Sequence, residues 1–177
     1  MNDWHRERYG DPCRECGFAW AITYREALGT ADDVPARYAA LLEGHDGTEQ
    51  HPGLRWSAGA YVSHVTDNLR VWAERLSAAA QRSDGLLVAY DEQAMGEARG
   101  YGRLPLAGAL WSLGRAEADW RTAVELAARE HAVLHHPDRG EQTVEEVVVG
   151  NVHDAVHHQW DIERSVRARE IRSGPRS

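Results

Sequence analysis

Residues 143–166 read TVEEVVVGNVHDAVHHQWDIERSV. Thr143 with Glu146 three residues later is a capping-box pattern, in which hydroxyl and carboxylate each satisfy an otherwise orphaned backbone N–H. From there Val144, Val147, Val148, Val152, Ala155, Ile162 and Val166 recur at helical spacing, which predicts an amphipathic helix from Val144 to about Arg169. On a wheel of about 100° per residue these apolar positions form one face. With Val144 at zero, His158 falls at about 320° and Asp154 at about 280°, both on the edge of that face, with Asp161 close by. His153 and His157, at about 180° and about 220°, point away from it. The helix therefore carries two i,i+4 pairs, the spacing at which two side chains can grip one ion. Asp154/His158 can reach the interior of a helical assembly, whereas His153/His157 face outward unless something covers them.

Three more helices are expected upstream. Asp32-Asp33 can cap one, with Pro35 in its first turn, that runs through Tyr38, Leu41 and Leu42 to Gly44. Ser57 can cap a long second one, in which Tyr61, Val65, Asn68, Leu69, Trp72, Leu76 and Ala79 recur at helical spacing up to Ser83-Asp84-Gly85. A third starts around Pro105 and runs to about His131 through Leu106, Leu110, Leu113, Trp120, Val124 and Leu126. Trp72, Trp111 and Trp120 are expected in the core, and Trp160 under the N-terminal segment. The connection Leu86–Arg103 is long for a compact bundle and is expected to shape a pocket mouth. Strand signals are nearly absent, and His135–Gly140 reads as a loop. The expected architecture is all-α: an irregular leader (1–31), a four-helix bundle (32–169) and a disordered tail (170–177).

A chain of 177 residues suits one domain with a real core. Its net charge of −8 argues against a nucleic-acid partner or an anionic membrane surface, and its apolar runs are too short to span a bilayer. All 20 basic residues are Arg, a bias typical of GC-rich genomes, so Arg70, Arg103 and Arg115 receive no role as anion holders. The start, Met1-Asn2-Asp3-Trp4-His5-Arg6, does not resemble a signal peptide, and the expected location is cytoplasmic. The partner expected is a small-molecule substrate, and the exposed Trp residues allow a homodimer.

His64 borders the apolar face of the second helix. Together with Asp154 and His158 it would supply three metal ligands and leave a position open for water or substrate, the arrangement of a catalytic centre. A single His at a core margin is more often satisfied by hydrogen bonds; three donors on two helices point to a metal. Cys13 and Cys16 form a C-x-x-C-G knuckle, which supplies two of the four ligands of a closed site. The outward pair His153/His157 is the evident source of the other two. The alternative is two reduced thiols in a loose leader. No strand precedes the motif, which disfavours a thioredoxin-like redox role.

The segments Trp56-Ser57 through His64-Val65-Thr66-Asp67 and Val156-His157-His158-Gln159-Trp160-Asp161-Ile162 resemble the DinB-like superfamily, which includes YfiT-type proteins and mycothiol-dependent maleylpyruvate isomerases. The resemblance covers residues 32–169 and implies a four-helix bundle with one ligand His on the second helix and a ligand pair on the last. Isomerase-type members place a ligand His three residues before an Asp-Leu, which on Asp161-Ile162 selects His158 and, four residues earlier, Asp154 where the family has Glu or His. The rival register uses His153 and His157. The resemblance further implies His64, His158 and Asp161 in catalysis, Asp161 orienting an imidazole. It implies a divalent metal, zinc first, and mycothiol as co-substrate of a thiol S-transferase or isomerase. A zinc-dependent hydrolase or cyclase of specialised metabolism, or a non-catalytic metal-stabilised binding module, are the alternatives. Certain actinobacterial members carry a similar Cys-containing leader.

Overall fold

The computed structural model describes residues 4–81 and 87–173. Its elements are α1 (Trp4–Tyr9), α2 (Tyr24–Leu41), α3 (Ala58–Ala80), α4 (Glu92–Arg99), a single 3-10 turn (Tyr101–Arg103), α5 (Leu106–Arg129), the hairpin strands β1 (Val133–His136) and β2 (Gly140–Thr143), and α6 (Val144–Ser173). The long helices α2, α3, α5 and α6 pack as a four-helix bundle, with α3 against α5 and α6 and with α2 against α6 and α5. None of the described helices is long and apolar enough to cross a membrane.

Three of the four bundle helices, α2, α3 and α6, start at a side-chain cap, whereas α5 starts at Pro105 without one. Ser57 Oγ accepts from the Ala60 N–H at the head of α3. At α6, Thr143 N–H donates to Glu146 Oε2 at 2.9 Å while Glu146 N–H donates to Thr143 Oγ1 at 3.2 Å. α2 begins earlier than its Asp32-Asp33 signal suggests. Thr23 and Glu26 form a second capping box, with Thr23 N–H donating to Glu26 Oε2 at 2.9 Å, and the helix runs through Pro35. A proline inside a helix costs about 3 kcal/mol. Burial of Ala27, Leu28, Ala31, Val34 and Tyr38 along the same helix offsets it.

Four other expectations need correction. Residues 1–31 are not irregular throughout, since they contain α1 and the first turns of α2. The connection before α5 holds α4, capped by Asp91, whose carboxylate accepts from the Gln93 and Ala94 N–H groups. Residues 133–143 form a hairpin rather than a loop; Leu134 and Gln142 are paired across it, both turned inward, at 0% and 1% exposure. α6 continues into the supposed tail as far as Ser173. α3 ends at Ala80, and the expected stop at Ser83-Asp84-Gly85 lies outside the described residues.

The core is continuous across the bundle. Every member of the apolar α6 set, from Val144 to Val166, is buried. Buried polar bonds fix the rotation of that helix: Tyr38 Oη donates to the Ala155 carbonyl at 2.7 Å, and Trp120 Nε1 donates to Asn151 Oδ1 at 2.9 Å. The leader closes over the outer face of α6. α1 approaches it at Gly150, where a Cβ would stand 3.0 Å from His5 Nε2, so only a glycine admits this contact unshifted. His5, Tyr9, Phe18 and Trp20 then form an aromatic layer against His153.

Trp111 departs from the expected core trio. It is 70% exposed, whereas Trp72 and Trp120 are 4% and 0% exposed. Replacement of Trp120 by Ala removes a buried ring and strands the Asn151 amide, and should lower unfolding free energy by about 3–5 kcal/mol in urea titrations. Trp111→Ala should change it by less than about 0.5 kcal/mol.

Candidate metal centre

Two helices bring the central donors together. His64 projects from the second turn of α3 and is 2% exposed. Asp154 and His158 lie one turn apart on α6. Ligand atoms of the three lie within 4.8 Å of one another. His64 Nε2 is 3.9 Å from Asp154 Oδ2, and His158 Nε2 is 3.6 Å from Asp154 Oδ1. The Asp154 side chain keeps 28% of its surface exposed, so the cluster is not sealed from solvent.

Neighbouring groups orient each donor. Asp161 Oδ2 accepts from His158 Nδ1 at 3.0 Å, which commits that ring nitrogen and leaves Nε2 facing Asp154. Asn68 Nδ2 donates to Asp154 Oδ2 at 2.7 Å. Tyr61 stacks on His158 with centroids 4.9 Å apart, and Trp56 lies against His64 at the same separation. These rings come from the start of α3 and the turn before it, and they wall the imidazoles from water.

The electrostatics divide the three donors. Burial pushes the His64 imidazole down to about 4, against the pull of Asp154, so the ring is neutral with a free lone pair. Burial alone would raise the Asp154 carboxyl, but His158, then His64 and the Asn68 amide, hold it well below the usual carboxylate range. Burial would also lower His158; the Asp154 and Asp161 carboxylates carry it up to about 9 instead. His158, held as a cation between the two carboxylates, would give up its proton to a metal ion bound in the same place. Nitrogen and carboxylate oxygen donors in this number suit zinc, manganese, iron or nickel.

A cleft of about 320 Å³ lined by α1, α3, α4 and the hairpin borders Asn68, whose amide bonds Asp154; His64, Asp154 and His158 themselves do not line it. Its charged lining comprises Arg8, Arg75, Arg139, Asp138 and Glu92. None of these arginines is among the three weighed from sequence. Arg70 instead pairs with Asp67 at 3.4 Å, beside a different cavity of about 280 Å³ on another face of α3. Asp67 also binds Arg99 at 2.8 Å and accepts from Tyr101 Oη at 2.8 Å, so it pins α4 and the 3-10 turn to α3. Glu92 had no signal in the sequence: it is a polar helix-start residue like many others. Desolvation first, then the charge of Asp154, pushes its carboxyl up.

The remaining candidates gather one residue out of phase on α6. Ligand atoms of Cys13, Cys16, His153 and His157 also lie within 4.8 Å of one another. His153, which the wheel turns away from the core, is nevertheless only 4% exposed because the leader covers it. Trp160 is half-buried beside His157, with the Arg164 guanidinium over its ring.

No protein-family model matches the chain, and no curated protein sequence does either. Among solved structures, the chain is similar to YfiT from Bacillus subtilis, described as a probable metal-dependent hydrolase with an unusual four-helix bundle topology. The two superpose with a TM-score of 0.69 at 20% identity, over 82% of this chain and 87% of that one. The fold is therefore that of a YfiT-type four-helix bundle, the architecture implied by the sequence motifs.

Removal of the Asn68 amide should free Asp154 to turn from the cluster. Asn68→Ala is expected to weaken zinc binding about 10-fold in competition with a chromogenic chelator, with helical content unchanged.

Proposed function

We propose that the protein is a metal-dependent enzyme that activates a nucleophile at His64, Asp154 and His158 and directs it onto a small electrophilic substrate in the adjoining cleft. Water is the favoured nucleophile and hydrolysis the favoured reaction. The observation that carries this reading is the three-donor cluster itself, assembled from two helices with Asp154 partly exposed. Its support from outside the chain is the fold shared with a probable metal-dependent hydrolase.

A divalent ion, zinc first, would supply Lewis acidity and bring the pKa of a nucleophile on its open side toward neutrality. The rest of the work falls to the chain. Asp161 holds the His158 ring and Asn68 holds the Asp154 carboxylate, so the donors stay aimed without reorganisation. Trp56 and Tyr61 exclude bulk water behind the imidazoles. Glu92, a carboxylate on the cleft wall, is the candidate to take the proton from the nucleophile and return it to the leaving group. Arg8, Arg75 and Arg139 bias the cleft toward a substrate that carries negative charge.

Thiol transfer or thiol-dependent isomerisation is the second reading, with mycothiol or a similar small thiol taking the place of water. The run Val156-His157-His158-Gln159-Trp160-Asp161-Ile162 favours it through its resemblance to the mycothiol-dependent isomerases. The two readings share the centre and differ in what is consumed.

Zinc-loaded and chelator-stripped protein should be compared on activated esters and, in parallel, on a thiol plus a generic aryl halide. Metal-dependent acid release supports hydrolysis, and metal-dependent thiol consumption supports the second reading. Glu92→Gln should lower kcat about 100-fold with metal content unchanged. Equal turnover by His64→Ala and wild type would refute both.

A further inference from the structure

The leader presents a second donor cluster that the proposed chemistry does not use. Residues 13–17 form a tight turn: the Gly17 N–H donates to the Cys13 carbonyl at 2.9 Å, and the Cys13 N–H donates to the Phe18 carbonyl at 2.8 Å. Gly17 has φ +75, a left-handed conformation, and a Cβ there would meet nothing within 4 Å. Backbone shape rather than crowding is thus what glycine serves at this position. The turn is anchored upstream by Arg14 N–H donating to the Tyr9 carbonyl at 2.9 Å. Both cysteines are free, and Cys13 is 2% exposed.

The turn sets these thiols opposite the His153/His157 pair, with all four sets of donor atoms within 4.8 Å of one another. A tetrahedral ion with bonds of about 2.0–2.3 Å holds its donors about 3.3–3.8 Å apart, so contraction by about 1 Å closes the set. Two independent features point to a ligand inside it. The Nε2 of His153 is buried and has no hydrogen-bond partner, a condition folded proteins seldom leave uncompensated. His157 is oriented as a metal-bound imidazole is: Nδ1 faces Cys13 Sγ at 3.9 Å, while Nε2 faces Glu15 Oε2 at 3.4 Å. Tyr9, Phe18 and Trp20 pack against His153 with centroids 4.4–5.3 Å away and keep the site dry.

We propose that Cys13, Cys16, His153 and His157 form a closed structural zinc site that fastens the leader across α6. Four protein donors leave no position for a substrate, in contrast to the three at the open centre. Soft thiolates with imidazoles select zinc over the harder divalent ions. Binding releases both thiol protons to solvent and changes no oxidation state. Fastening the turn also holds Trp4, Arg8 and Tyr9 in place as one wall of the cleft.

The full chain, stripped of metal, is titrated with Co²⁺ and then Zn²⁺. His64→Ala, which impairs the open centre, should still bind about one zinc per chain, and its cobalt form should show thiolate-to-metal charge-transfer absorption. Cys13→Ser/Cys16→Ser should bind one zinc fewer than wild type and lose that absorption. In wild type, zinc should slow alkylation of both cysteines by iodoacetamide at least about 10-fold, and a chelator should restore the rate; this arm stands even where the double variant fails to fold. Unchanged zinc content in the double-serine variant, or alkylation rates indifferent to zinc, overturns the site. Failure of the open centre alone would look different: wild type and His64→Ala would then bind the same single zinc, with the charge-transfer band in both.

Discussion

The pitch of α6 governs both donor clusters. At about 100° per residue, positions 153 and 157 share one face of the helix while 154 and 158 share the next. Four side chains that are neighbours in sequence therefore meet two different environments. The leader covers the first pair and α3 faces the second. Asp161 lies one turn further on, with Oδ2 3.0 Å from His158 Nδ1 and 4.0 Å from His157 Nε2. A helix behaves as a rigid ruler, so a rotation that improved one cluster would spoil the other.

What holds that rotation is a division of labour between apolar and polar contacts. Val148, Ile162 and their neighbours provide the bulk of the burial but would tolerate a few degrees of slippage. The Tyr38 hydroxyl on the Ala155 carbonyl and the Trp120 indole on Asn151 would not, because each is a directional bond whose loss leaves a buried group unpaired. Both bonds fall within one turn of the candidate donors on α6. Gly150 adds the steric allowance that lets α1 close from the outside. Core, leader and candidate donor positions are in this sense one construction.

The parts legible in the sequence are those with a periodic or local cause. The apolar repeat of α6 and the Ser57 and Thr143 caps follow from spacing alone, and so does the grouping of donors into two i,i+4 pairs. The misread parts have competing local signals. Pro35 with Asp32-Asp33 looks like a helix start, yet the Thr23–Glu26 box and the buried face of α2 outweigh it. Trp111 invites a core reading by its size, but at about 100° per residue it lies about half a turn round α5 from Trp120 and projects to solvent. The hairpin has strands of four residues, too short for an alternating pattern to register. Glu92 and the cleft arginines Arg8, Arg75 and Arg139 come from separate elements, and only the tertiary fold gathers them.

The contrast between the three-donor and the four-donor cluster follows from what each set of elements can reach. Two packed helices meet along a seam, and α3 and α6 place three donors there. A fourth would need a side chain from a third element. The leader has no such restriction: a turn of five residues bends around its own centre and offers both of its thiols to one point. The donor chemistry follows the same division, with harder oxygen and nitrogen donors on the rigid seam and soft sulfur on the adaptable turn. Asp161, in contact with an imidazole of each cluster, couples them electrostatically, so the charge state of either set of donors is felt by the other.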